Sequence, residues 1–169
     1  MKQFLALTLV LFLSSCGIMV TYDYEKGTDF SQYKTYNYFD NMQTGLSELD
    51  AKRFFQILDS QLQNKGFTLS ETPDFIIDVK SSSAYKPKPS SSVGMGVGSH
   101  GGGVSVGIPI GQSSVTRKLI LDFVDGTTQQ LFWQAVSSEP TAPENSPEAR
   151  SAQFQKVISK LLEKYPPTK

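Results

Sequence analysis

VTRKLILDFVDGTTQQLFWQAV, Val115 to Val136, alternates apolar and polar residues on either side of an Asp125-Gly126 turn. Leu119, Leu121 and Phe123 share one side of the first half, and Leu131, Trp133 and Ala135 share one side of the second. A two-residue period belongs to an extended strand with one packed and one wet face, and Asp-Gly between two such runs marks a hairpin. Two strands cannot bury that apolar face by themselves, so further strands or helices must cover it.

The same period recurs upstream. Val20, Tyr22 and Tyr24 alternate with Thr21 and Asp23. Lys34 to Phe39 alternates through Tyr36 and Tyr38, and Asp74 to Lys80, after Pro73, places Phe75, Ile77 and Val79 on one side. Aromatic and β-branched content supports strands in all three. Glu25 to Tyr33, with Gly27, Asp29 and Ser31, reads as a connection.

The period changes to that of a helix at two places. From Ser47 to Lys65, Phe54, Leu58 and Leu62 repeat at four-residue steps, with Ser47 as cap, Asp50 at the capping-box position and Gly66 as the stop. Ser146 caps a second helix with Pro147 at its first position, and Phe154, Val157, Ile158, Leu161, Leu162 and Tyr165 trace its apolar face to Pro166-Pro167. Ser138 to Pro147 holds three prolines and reads as a loop. The expected fold is α+β: an antiparallel or mixed sheet with two amphipathic helices packed on one face.

Residues 84–112 interrupt this pattern. Pro87, Pro89 and a serine run lead into glycines alternating with Val93, Met95, Val97, Val104, Val106, Ile108 and Ile110. Such a segment cannot hold a helix; it reads either as a glycine-rich hairpin turning near Ser99 to Gly102 or as a flap, and equally as an extended edge of the domain's own sheet.

The N-terminus carries an address. Met1, Lys2 and Gln3 precede an apolar stretch from Phe4 to Leu13, broken only by Thr8, which has the layout of a signal peptide over residues 1–15. About ten apolar residues reach only ~15 Å as a helix, half of a ~30 Å hydrocarbon core, so a permanent span is disfavoured. Leu13-Ser14-Ser15-Cys16 follows and resembles the bacterial lipobox, in which Leu13, Ser14 and Ser15 are read by the signal peptidase and Cys16 receives the lipid. Cys16 is the one cysteine in the chain, so no intramolecular disulfide competes for it. The mature chain, 16–169, is then a single lipoprotein domain with palmitate-type acyl chains holding it on a membrane. Gly17-Ile18-Met19-Val20 offers no acidic residue after the cysteine, which by resemblance to sorting patterns favours the periplasmic face of the outer membrane.

Sixteen basic and sixteen acidic side chains leave no surplus of positive charge to neutralise phosphates, which argues against nucleic-acid binding. Catalytic signals are thin. Gly96, Gly98 and Gly101 spell the dinucleotide-binding spacing, but more glycine follows where a helix is needed. His100 is the one histidine and reads as a turn residue, so neither a zinc set nor a Ser-His-Asp triad can be assembled, and no cofactor is implied. Asp78 and Asp122 sit on wet strand faces, as solvated residues or, if adjacent, as an acid-base pair or a Ca²⁺ site. Trp133 and the tyrosines Tyr22, Tyr24, Tyr36 and Tyr38 read as core rather than as a stacking platform.

Several strings, taken in order, resemble the DUF4136 family, bacterial envelope lipoproteins built on a domain of unknown function. They are Asp23-Tyr24, Asp29-Phe30-Ser31-Gln32-Tyr33-Lys34-Thr35-Tyr36, Lys65-Gly66-Phe67, Pro73-Asp74-Phe75, the glycine-rich middle, Leu119 to Asp122 through Leu131-Phe132-Trp133, and Lys164-Tyr165-Pro166-Pro167. Asn37-Tyr38 departs from the family, where a tryptophan is usual. The resemblance implies an α+β lipoprotein domain and carries over no catalytic residue.

These readings lead to one expectation and two alternatives. The first is a non-enzymatic lipoprotein, anchored to the membrane through Cys16, that binds or supports another envelope component. The second is a carrier of a small hydrophobic ligand or lipid, with the glycine-rich hairpin as a flap over an apolar groove. A hydrolase on Asp78 and Asp122 is the third.

Overall fold

The computed structural model describes residues 18–86, 114–141 and 146–167. Leu13, Ser14, Ser15 and Cys16, the glycines at 96, 98 and 101, His100 and the expected hairpin or flap lie outside the described residues.

Strands β1 (Met19–Tyr24), β2 (Thr35–Tyr38), β3 (Thr68–Leu69), β4 (Phe75–Lys86), β5 (Ser114–Asp125) and β6 (Leu131–Thr141) form one sheet in the order β1-β6-β5-β4-β2-β3. From β1 to β4 neighbours are antiparallel, whereas β2 lies parallel to both β4 and β3, so the sheet is mixed. The parallel pair β2 and β3 is joined by helix α1 (Glu48–Asn64), and α2 (Pro147–Leu161) follows β6.

Both helices begin and end as their sequences dictate. Ser47 accepts from the Asp50 amide and Ser146 from the Ala149 amide, each satisfying an orphan N–H of a first turn. After α1, Gly66 at φ +90° lets its own N–H reach the Gln63 carbonyl and that of Phe67 reach Leu62, the two bonds of a Schellman close. Asp50 differs from expectation. Its carboxylate is buried and pairs with Arg53 at 3.1 Å and Arg150 at 2.8 Å rather than capping the helix, and so ties the start of α1 to the start of α2. At the other end the Lys65 Nζ donates to the Tyr165 carbonyl, so the two helices run side by side in the same direction.

The buried strand residues Tyr36, Phe75, Ile77, Val79, Leu119, Leu121, Phe123, Trp133 and Ala135 form one core with Phe54, Leu58, Leu62, Phe154, Val157, Ile158 and Leu161 of the helices. The opposite face stays half-exposed at Ile76, Ile120, Val124, Gln134 and Val136. Alternation located both faces, with one exception. A bulge after Phe123 pairs Val124 with Leu131 and Phe123 with Trp133, leaving Phe132 as the extra residue. Phe132 and Trp133 are therefore both buried, and Leu131, expected inside, is 48% exposed.

Boundaries shifted where serine and proline dominate. β4 continues through Ser81-Ser82-Ser83 to Lys86, and β6 through Pro140 to Thr141, although Ser138 to Pro147 reads as a loop. The ladder with β5 supplies the reason for the first. For the second, β1 reaches only Ser138, so beyond it β6 is an edge on which the missing N–H of proline costs no bond. The second helix stops at Leu161, short of Tyr165, which is buried all the same.

Candidate functional site

One end of the sheet gathers the described grooves. It is formed by the connection after β1, the Asp125-Gly126 turn between β5 and β6, Phe67 after α1 and Pro166-Pro167 after α2. Four open depressions meet there, of about 540, 360, 700 and 680 Å³, and Tyr24 lines three of them.

The string Asp29-Phe30-Ser31-Gln32-Tyr33 builds the floor. Asp29 accepts from the Ser31 amide and hydroxyl at 3.0 and 2.7 Å and so caps a 3-10 turn over Phe30–Gln32. Residues three apart eclipse in such a turn, which turns Phe30 and Tyr33 to the same side. Tyr33 stacks flat on Phe132 at 4.0 Å, while Phe30 meets Phe132 and Tyr165 at 6.0 Å each. Tyr165 in turn stands edge-on to Phe123 at 4.7 Å and Trp133 at 4.9 Å. These contacts join the groove floor to the core without a break.

Carboxylates surround the floor, and two of them are spent on backbone. Asp125 accepts from the Thr127 and Thr128 amides at 2.9 and 2.7 Å and from the Tyr33 hydroxyl at 2.9 Å. Those bonds hold its carboxyl below the usual range, and burial with the Asp125 bond pushes the Tyr33 hydroxyl up to about 12. Asp74 accepts from the Lys34 and Thr35 amides at 2.9 and 2.8 Å, and its own amide donates back to Thr35, which locks the start of β4 to the start of β2. The amide of Lys34 is the largest cause of its lowered pKa. Asp23 and Glu25, beside Gln130 and Gln134, line the 540 Å³ depression with Tyr24.

The tyrosines divide. Tyr36 and Tyr38 share one acceptor, Asp59 Oδ1, at 2.8 and 2.6 Å, and burial raises both hydroxyls well above the ordinary range. Tyr36 is core, as expected, and Tyr38 is partly buried against that core. Tyr22 is only partly buried; its hydroxyl donates to the Lys160 carbonyl and its ring lies 5.2 Å below the Lys164 ammonium. Tyr24 is 47% exposed, edge-on to Phe30 at 6.0 Å, which corrects its reading as core. The reason is topological: β1 is the sheet's outer strand, and its last residue has a neighbour on one side only. Trp133 is fully buried, as read.

Asp78 and Asp122 are brought together on the open face, directly paired across β4 and β5. Lys80 stands between them, 2.6 Å from Asp78 and 3.6 Å from Asp122, and Gln134 donates to Asp122 at 2.8 Å. The Asp78 bond is the largest cause of a raised Lys80 pKa. The two carboxylates are bridged by a cation, and no set of three metal-binding side chains occurs among the described residues. No helix among them is long and apolar enough to cross a membrane.

Comparison with known proteins agrees with this construction. The sequence profile of the family described as "Domain of unknown function (DUF4136)" matches residues 20–167. A DUF4136 family protein from Bacteroides thetaiotaomicron shares the fold at a TM-score of 0.51 and 13% identity, over 88% of this chain and 96% of that one. PelC from Paraburkholderia phytofirmans, solved as a dodecamer, superposes at 0.51 with 10% identity over 86% and 95%. A PDZ domain protein from Parabacteroides distasonis superposes at 0.58 with 14% identity; the match covers 99% of this chain but 41% of that protein. No curated protein sequence matches significantly. With the profile spanning the strands, both helices and the groove floor alike, this chain belongs to the DUF4136 family.

Proposed function

We propose that this protein is an envelope lipoprotein, held on a membrane through acylated Cys16 and facing the periplasm, whose domain binds or supports another envelope component without catalysing a reaction. The observation that carries the binding role is Tyr24: a large aromatic ring left 47% exposed at the meeting of three grooves, flanked by Asp23, Glu25, Gln130 and Gln134. A rigid exposed ring among hydrogen-bonding side chains is the kind of anchor on which binding energy concentrates. The carboxylates nearest the floor support binding over chemistry, because Asp29 and Asp125 are occupied as caps. The PelC dodecamer supports an assembly role at the level of fold alone. The carrier reading has less behind it, since the described grooves are open and lie at the far end of the sheet from residues 86 and 114.

Two experiments test the proposal. Cells fed radiolabelled palmitate should label the native chain and not Cys16→Ser; an unlabelled native chain defeats the anchor. A photo-crosslinking residue at position 24 should give one recurrent adduct that the same residue at exposed Lys52 does not give. Absence of any adduct at position 24 defeats the binding role.

A further inference from the structure

The two edges of the sheet are finished differently. One ends in β3, two residues long, which offers an incoming strand almost nothing to pair with. The other is β1, six residues without proline, lysine or glycine, paired to β6 with no bulge from Met19 to Tyr24. Native sheets blunt their edges with such residues, with bulges or with a cover, so an edge as plain as β1 is a pairing site.

The backbone shows which groups it offers. The Glu25 amide donates to the Phe132 carbonyl, one step beyond the last pair of the β1–β6 ladder, Tyr24 with Trp133. Antiparallel bonding alternates, so Glu25, Asp23, Thr21 and Met19 bond towards β6, and Tyr24, Tyr22 and Val20 turn their N–H and C=O outward. The Tyr24 amide agrees, since it donates to the Asp23 carboxylate. Beside this edge runs the groove of about 680 Å³, lined by Val20, Tyr22, Tyr24 and Trp133.

We propose that the occupant of the edge is β1 of a second copy, laid antiparallel about a two-fold axis at Tyr22; the proposal rests on the reading of Tyr24 as a binding anchor and names the component bound there. In this register outward groups meet outward groups. The two Tyr22 residues exchange both backbone bonds, and the Val20 amide of each copy reaches the Tyr24 carbonyl of the other. Side chains match as well: Tyr22 faces Tyr22, Val20 faces Tyr24, and Thr21 faces Asp23, whose carboxylate accepts from the threonine hydroxyl. Asp23 is the one charged residue of the strand, and an axis at Tyr22 keeps its two copies apart, whereas an axis at Asp23 would set them face to face. Lys164, whose ammonium lies 5.2 Å from the centre of the Tyr22 ring, and its neighbour Glu163 bring one charge of each sign to the axis, so each copy meets the other with opposite partners. With β3 too short to carry a further strand, the pair closes at two and does not grow into a fibre.

The test uses the full lipidated chain in the membranes of the cells that make it, where acylation occupies the Cys16 thiol. Thr21→Cys and Asp23→Cys, both at exposed positions, are placed in two differently tagged copies produced together. Severalfold more disulfide between positions 21 and 23 than between 21 and 21 or 23 and 23 is expected. Val20→Pro in both copies should abolish that link with little change in thermal unfolding, because the N–H it removes points away from β6. Where Val20→Pro unfolds the chain, the ratio among the three links decides alone. Equal linking of all three pairs, linking strongest at 21 with 21, or a 21–23 link that a folded Val20→Pro chain retains overturns the edge pairing. No link between copies, with an adduct from position 24 to some other molecule, overturns the second copy as partner and leaves the binding role standing. Neither link nor adduct overturns both.

Discussion

The two faces of the sheet are made from the same strands and are held by different physics. On the helix side Phe75, Phe123, Trp133 and Tyr165 meet as rings 4.6 to 6.3 Å apart, all essentially inaccessible to water. On the other side Ile76, Ile120, Val124 and Val136 are half-exposed around an ion cluster of Asp78, Lys80 and Asp122. Packing on the first face is close, so a lost atom leaves a hole; on the second, water fills what a side chain vacates. The difference predicts that stability depends steeply on volume on one face and weakly on charge on the other.

The largest effect is expected at Phe123, which meets four other aromatic rings, those of Phe75, Phe132, Trp133 and Tyr165. Phe123→Ala should cost about 3–5 kcal/mol in denaturant unfolding. Ile120→Ala, three residues away in the same strand but on the half-exposed face, should cost well under half of that. Equal losses would erase the distinction between the faces.

Next comes Gly45, where the chain bends from β2 towards α1 against β4. Its φ is +69°, and a Cβ there would lie 2.4 Å from the Ser81 carbonyl oxygen, a backbone atom with no freedom to withdraw. Gly45→Ala should therefore cost about 1–3 kcal/mol through strain alone. Gly27, also at positive φ but with open space around it, should cost less on the same change, read by the same unfolding curves.

How legible these features were in the sequence follows from their range. The hairpin from Val115, both helix caps and the Gly66 stop are local signals, and each was readable because the residues that decide it are near neighbours. So too was the family string at Asp29 to Tyr36, whose role proves to be structural: it caps a turn, stacks Tyr33 on Phe132 and offers two amides to Asp74. The bulge that buries Phe132, the parallel entry of β2, the two-residue β3 and the strand character of Pro140 depend on partners about 10 to 40 residues away, and no local period encodes them. Tyr24 escaped for the same reason. Its alternation matched that of buried tyrosines, and only the position of β1 at the sheet's edge exposes it.

Between the two faces in expected size lies Glu139, on the packed side yet ionisable. Burial is the main cause raising its pKa above the ordinary 4.5, with the Gln153 bond and the Arg117 charge opposing. The folded chain thus holds this proton more tightly than the unfolded one. Its stabilisation is complete below about pH 4.5 and is lost as pH rises through the raised value. Glu139→Gln, neutral throughout, should match the native Tm in acid and exceed it near neutrality. A gap that does not change with pH would contradict the assignment.

The smallest effect belongs to Lys80, and its smallness is the point. Its side chain is more than half exposed while bridging Asp78 and Asp122, so solvent screens most of the attraction. Lys80→Met should cost only about 0.2–1 kcal/mol. What it removes is the one cation between two carboxylates that face each other across neighbouring strands, so part of the loss is repulsion newly exposed. Adding Asp78→Asn to the variant should recover that part, and added salt should shrink the loss in the single variant but not in the double one. A loss as large as that at Phe123, or one indifferent to salt, would mean that the open face is covered by something that excludes water. The contrast between the faces would then describe an isolated domain and not the protein with that cover in place.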